Sequence, residues 1–144
     1  HGALYNLAAR EDEVAQTVAR GVARVSADLI LVGLAGGALI EAARVEGLRA
    51  AREGFVDRAY QADGALRSRQ LAGAVIHDPQ AAAGRAIEIA RDGAVTAYTG
   101  ERIPLQVDTL CVHGDTPGAV RLVETIRRRL READVEVAPM TSFL

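Results

Sequence analysis

Apolar residues recur along this chain with two alternating periods. From Arg10 to Ala27, Val14, Val18, Val22 and Val25 fall at helical spacing, and Glu11, Asp12 and Glu13 sit where a helix N-terminus favours negative charge. Asp28-Leu-Ile-Leu-Val-Gly33 is a continuous apolar run of strand length, read as a strand buried on both faces. Gly36-Gly37 opens a second helix, with Leu39, Ile40 and Ala43 inward and Gly47 as its C-terminal stop. A weaker strand pattern, broken by alanine and arginine, covers Leu48 to Val56.

From Asp57 to Gly73 the periodicity gives way to Asp, Gly, Arg, Ser and Gln, the signature of a long functional loop. Asp78-Pro79 predicts an N-cap followed by proline at the first helical position, with the helix running to about Asp92 and stopping at Gly93. A β-excursion is expected around Val95–Tyr98 and Ile103-Pro-Leu, then a strand over Asp108 to Val112. Thr116-Pro117 starts a last helix with Val120, Val123, Ile126 and Leu130 on one face, and Val135-Glu-Val137 reads as a final short strand. Repeated βα units imply an α/β fold with a parallel sheet covered by helices. The pattern is compatible with an open doubly wound sheet and with a closed barrel.

Length and composition narrow the class. The 144 residues fit one domain able to bury a sizeable core. A net charge of −2 gives no electrostatic reason to expect nucleic acid or an anionic membrane as partner. All 17 basic residues are arginine, which excludes lysine Schiff-base or lysine general-base chemistry. Aromatic residues are scarce and tryptophan is absent, so a base-stacking platform is not expected. Cys111 is the sole cysteine, which rules out an intrachain disulfide and a thiolate cluster; within Leu110-Cys111-Val112 it reads as a buried core thiol. No apolar stretch reaches transmembrane length and no signal peptide is visible, so a cytoplasmic protein is expected. The chain starts at His1 in what reads as a strand-end motif, and so looks like the C-terminal portion of a longer polypeptide.

Three clusters carry chemistry. The run ending Leu110-Cys-Val-His113-Gly-Asp115 places a titratable pair at a strand's C-terminal end, where βα folds gather functional groups. His113 there is a candidate general base, acid or metal ligand, and Asp115 would orient the imidazole, ligate a metal or anchor a polar substrate. The bland reading has Asp115 or Thr116 capping the last helix and His113 as a satisfied core histidine. His1, Tyr5 and Asn6 form the second cluster, at or beyond a strand end. The third runs from Glu53 to Gly64, where Asp57 and Arg58 follow an apolar pair, with Arg58 either clamping an acidic small molecule or, in an Asp-Arg pair, fixing the loop. Gly33-Leu-Ala-Gly36-Gly37 lacks the dinucleotide spacing and has no phosphate-loop lysine; it could hold an anion on helix amides, though a tight turn explains it. His77, beside the Asp78 cap, looks like a loop residue.

Five motifs then occur in order: His1-Gly-Ala-Leu-Tyr-Asn6, Ile30-Leu-Val-Gly-Leu-Ala-Gly36, Glu53-Gly-Phe-Val-Asp-Arg58 through Tyr60-Gln-Ala-Asp-Gly64, Gly73-Ala-Val-Ile76 and Cys111-Val-His-Gly-Asp-Thr-Pro-Gly-Ala119. Together they resemble the LamB/YcsF family over nearly the whole chain. One departure is Leu66-Arg-Ser-Arg69, where the family commonly has a proline before the arginine. The family's N-terminal motifs are absent, so whatever acids or metal ligands they supply have no counterpart here.

The resemblance implies a partial β/α barrel of the glycoside hydrolase/deacetylase type. It also implies ATP-driven opening of the 5-oxoproline lactam to L-glutamate, with two partner subunits of the allophanate-hydrolase type. On that basis His113 is assigned as base with Asp115 as its partner, Arg58 with Asp57 as substrate-binding loop residues, and His1, Tyr5 and Asn6 as a polar wall. A divalent metal is an open addition without assigned ligands. The alternatives are a metal-dependent deacetylase and a non-catalytic substrate-binding subunit.

Overall fold

A computed structural model describes residues 1–115 and 117–144 of the chain. It contains two compact units, His1–Glu53 with Pro139–Leu144, and Gly54–Ala138.

In the first unit, helix α1 spans Ala3–Ala8 and α2 spans Asp12–Val25. Strand β1 (Ile30–Leu34), helix α3 (Ala38–Val45) and strand β2 (Arg49–Phe55) follow, with β2 leaving the unit after Glu53. β1 and β2 are parallel, in a register that sets Ile30 opposite Arg49 and Leu34 opposite Glu53. A helix between two parallel strands is the βα repeat that the periodicity predicts. The core here is built of small side chains: Ala8, Ala15 and Ala19 pack with Leu39 and Ala42, flanked by Val14, Val18 and Leu31. Alanines four residues apart on α2 lie on one face and present little side-chain bulk to α3.

Two expectations fail in this unit. His1 to Asn6 is no strand end, because residues 3 to 8 form the helix α1. β1 is not buried on both faces: Gly33 is buried, and the other four residues are half-buried. Its odd-numbered positions meet the helices. Leu31 packs on the alanine cluster, and a Cβ on Gly33 would stand 3.3 Å from Leu39 and Ile40.

In the second unit, the loop that follows β2 leads to helix α4 (Pro79–Asp92), the antiparallel pair β3 (Ala94–Thr96) and β4 (Arg102–Pro104), strand β5 (Thr109–Cys111) and helix α5 (Ala119–Glu132). Asp78 caps α4 as the sequence predicts, accepting from the main-chain N–H groups of Gln80 and Ala81, and Gly93 ends it in the left-handed conformation at φ 59°. α4 packs against α5. Its buried face is Ala82, Ala83, Ala86 and Ile89, and that of α5 is Leu122, Ile126 and Leu130. Burying each large aliphatic side chain contributes about 1.5–3 kcal/mol.

The face predicted for α5 is therefore corrected. Val120 is exposed and Val123 partly so, and the buried set follows the i, i+4, i+8 row from Leu122. Gly118, at φ 82°, precedes α5 with no side-chain cap, so Asp115 does not cap it; Thr116 lies outside the described residues. Residues 135–137 run as irregular chain rather than a strand. Among the described residues, no helix is long and apolar enough to cross a membrane.

Candidate functional site

In the first unit the chemistry gathers on Glu53, at the C-terminal end of the β1–β2 pair. Its Oε2 accepts the Tyr5 hydroxyl at 2.7 Å and faces Nε2 of His1 at 2.8 Å. The two rings pack edge to face with centroids 4.8 Å apart. Glu53 is only 8% exposed, and a carboxylate so placed needs charge-assisted donors to offset its lost hydration. Tyr5 reaches it from the first turn of α1 and His1 from the residues just before that helix. Asn6 does not join them: it is exposed, and its amide donates to the Gly2 carbonyl within its own helix start.

The strand-to-helix turn after β1 is a backbone device. The N–H groups of Ala35, Gly37 and Ala38 donate to the carbonyls of Glu53, Leu34 and Ala9, respectively. Those amides are spent on the chain itself, which favours the tight-turn reading over an anion cradle.

In the second unit, His113 follows β5 and meets Asp57. The Asp57 side chain is fully buried; its Oδ2 accepts the main-chain N–H of His113 at 2.9 Å, and both carboxylate oxygens lie within 3.0 Å of His113 Nδ1. The Phe55 ring stacks on the imidazole at 5.5 Å and 20°. Nearby backbone bonds hold the carboxylate: Val56 N–H donates to the Cys111 carbonyl, Ile76 N–H to that of Asp57, and the Tyr60 hydroxyl accepts Phe55 N–H at 2.8 Å. An imidazole held this way can serve as base, acid or metal ligand.

The partner assigned to His113 is thereby corrected. Asp115, two residues on, is 75% exposed on its side chain and lies 4.0 Å from the exposed Arg69 guanidinium, a loose surface pair. Gly114 and Asp115 turn away into solvent after the strand, while the carboxylate that meets the ring comes from 56 residues earlier.

Arg58 is buried, and its hydrogen bonds serve the loop. Nε donates to the Ala74 carbonyl at 3.3 Å and Nη2 to the Arg67 carbonyl at 2.6 Å. Burial lowers its pKa, the neighbouring Arg69 charge lowers it further, and Asp57 and Tyr60 oppose both. The expected Asp57–Arg58 hydrogen-bonded pair is also corrected: Asp57 accepts from His113, and Arg58 fixes the loop by donating to carbonyls. Arg85 braces the same region from α4, donating to the carbonyls of Arg58 and Thr96. The Arg67 guanidinium lies 3.7 Å over the Tyr98 ring.

Cys111 is half-buried rather than a core thiol, and His77 is an exposed loop residue as expected. Glu53 stands at the head of the third cluster, but the sequence assigns it no role; the structure makes it the carboxylate on which His1 and Tyr5 converge. Its only signal was a carboxylate entering an apolar strand end, in Arg52-Glu53-Gly54-Phe55.

The LamB/YcsF family model matches residues 1–144. The chain is 49% identical over 144 residues to the 5-oxoprolinase A subunit of Pyrococcus furiosus, covering 100% of this chain and 56% of that protein. It is 53% identical over 137 residues to the 5-oxoprolinase A subunit of Chloroflexus aggregans, covering 95% and 54%. The solved lactam utilization protein of Thermus thermophilus superposes with a TM-score of 0.87 at 40% identity, over 95% of this chain and 54% of that one. The chain thus spans about half the length of the relatives it matches.

Proposed function

Because this chain belongs to the LamB/YcsF family, we propose that it forms part of a 5-oxoprolinase A subunit that opens the 5-oxoproline lactam hydrolytically to L-glutamate. The observation that carries this reading is His113, set at the end of β5 on a buried carboxylate in a chain about half identical to proteins named for that substrate. Opening the ring breaks its C–N bond, adds water's hydroxyl to the carbonyl carbon and gives a proton to the leaving nitrogen. An amide is a poor electrophile, so the reaction needs a base for the water and donors for the developing oxyanion.

In this reading His113 is the base. Tyr5 and His1, gathered on Glu53, are polar groups for substrate contact. Arg58 contributes by holding the loop that carries Asp57. ATP is a co-substrate: its terminal phosphoryl group goes to the amide oxygen as ADP leaves, and it departs as inorganic phosphate in the course of hydrolysis to L-glutamate, handled together with two partner subunits of the allophanate-hydrolase type. A cytoplasmic location and a β/α barrel completed by further chain belong to the same proposal.

The test is ATP-dependent conversion of 5-oxoproline to glutamate by the full-length protein with its partner subunits. His113→Ala is expected to lower turnover by about 10²- to 10⁴-fold, the usual worth of a general base. Unchanged glutamate production would overturn the assignment.

A further inference from the structure

Asp57 grips one residue at two points. Its Oδ2 takes the main-chain N–H of His113, and ring Nδ1 sits 3.0 Å from Oδ1 and 2.9 Å from Oδ2. An ionised carboxylate accepts hydrogen bonds and donates none, so a ring nitrogen held against both of its oxygens carries the hydrogen. The imidazole has little freedom to turn over, since its side chain is 9% exposed and Phe55 stacks on its face.

We infer that Asp57 is a positioning residue that fixes His113 as the Nδ1–H tautomer and leaves the ring lone pair on Nε2. This rests on the proposed role of His113 as base. Nε2 is then the atom that takes a proton from water as the water oxygen bonds to the lactam carbonyl carbon. It returns that proton to the ring nitrogen when the C–N bond breaks, and Asp57 stays ionised throughout. His1 is set the opposite way. The Glu53 carboxylate faces its Nε2, so the same reasoning gives His1 the Nε2–H tautomer.

Asp57→Asn is the informative change because it keeps the shape. The main-chain N–H of His113 requires an acceptor at the Oδ2 position, so the new amide oxygen goes there. The amide NH₂ then faces Nδ1 from the Oδ1 position, and Nδ1 must supply the lone pair. The substitution therefore inverts the tautomer and moves the hydrogen to Nε2. The same loss of the working tautomer underlies the effect of exchanging the orienting Asp in serine proteases.

The experiment uses the full-length protein with isotope-labelled histidines, ring nitrogens read by NMR and His113 assigned by its disappearance in His113→Gln. Wild-type His113 is expected as Nδ1–H. Asp57→Asn is expected to show it as Nε2–H, with His1 unmoved and thermal unfolding still cooperative. In the assembled enzyme the variant should lose about 10²- to 10⁴-fold in kcat, with KM for 5-oxoproline within about threefold. An Nε2–H tautomer in the wild-type protein overturns the inference, and that measurement stands even if the variant does not fold. An inverted tautomer with wild-type kcat also overturns it. Nδ1–H in the wild type, beside full turnover by His113→Ala, overturns the base role instead and identifies the functional reading as the part that failed.

Discussion

Glu53 and Asp57 follow one physical rule: a carboxylate removed from water has to recover its lost hydrogen bonds from the protein. Glu53 recovers them from Tyr5 and His1, Asp57 from the ring and main chain of His113. Removing one donor exposes the cost. Tyr5→Phe is expected to destabilise the protein by about 1.5–3 kcal/mol, the range for a hydrogen bond to a charged group, read as a lower urea midpoint with unchanged slope. A midpoint equal to wild type would show that water supplies the bond as well as Tyr5 does. His113 was legible in the sequence because a titratable side chain at a strand end is a local signal. Its carboxylate was not, since Asp115 two residues on and Asp57 far upstream are equally plausible until the chain folds. Glu53 had no role assigned to it, in a strand pattern broken by alanine and arginine.

Elements with strong local chemistry match their predicted bounds. α4 is the clearest: Asp78, Pro79 and Gly93 are all in place before any tertiary contact is considered. Asp78→Ala is expected to cost about 1 kcal/mol, by leaving the N–H groups of Gln80 and Ala81 without their side-chain acceptor. Thermal melts of the variant should show a lower Tm, and an unchanged Tm would mean that water caps the helix equally well. Elements decided by partners were misread. α1 has six residues, too few to show a helical period, and its His-Gly start resembles a strand end. Val135-Glu-Val137 alternates over three residues, which fixes no strand without a neighbour to pair with. For α5, Val120 and Val123 satisfy helical spacing as well as Leu122 does, and packing selected the row with the larger side chains.

Across the molecule, alanine does much of the work usually given to aromatics. Ala15, Ala19, Ala43, Ala51, Ala82, Ala83 and Ala86 are all essentially buried, in a chain with three tyrosines and two phenylalanines. Arginine, the only basic side chain besides histidine, braces the loop by donating to carbonyls from Arg58, Arg67 and Arg85. The βα alternation that defines the fold class was visible in apolar periodicity, because that signal is spread over many residues. The division into two units was not, because it depends on which faces meet.

The two carboxylates stand four positions apart on one covalent thread. Glu53 is placed by the register of β2 on β1, and Asp57 by the bond from Val56 to Cys111. Val56 and Asp57 follow β2 in a bend anchored by that bond, so losing one residue there moves the acid out of its place opposite His113. Deleting Val56 is therefore expected to separate His113 from its acid and abolish turnover in the assembled enzyme. One residue added within the exposed run Ser68 to Gln70 should be tolerated. Equal activity in both length variants would refute this. For an engineer, the loop is therefore where length can be added, while the step from Val56 to Asp57 decides which side chain faces His113.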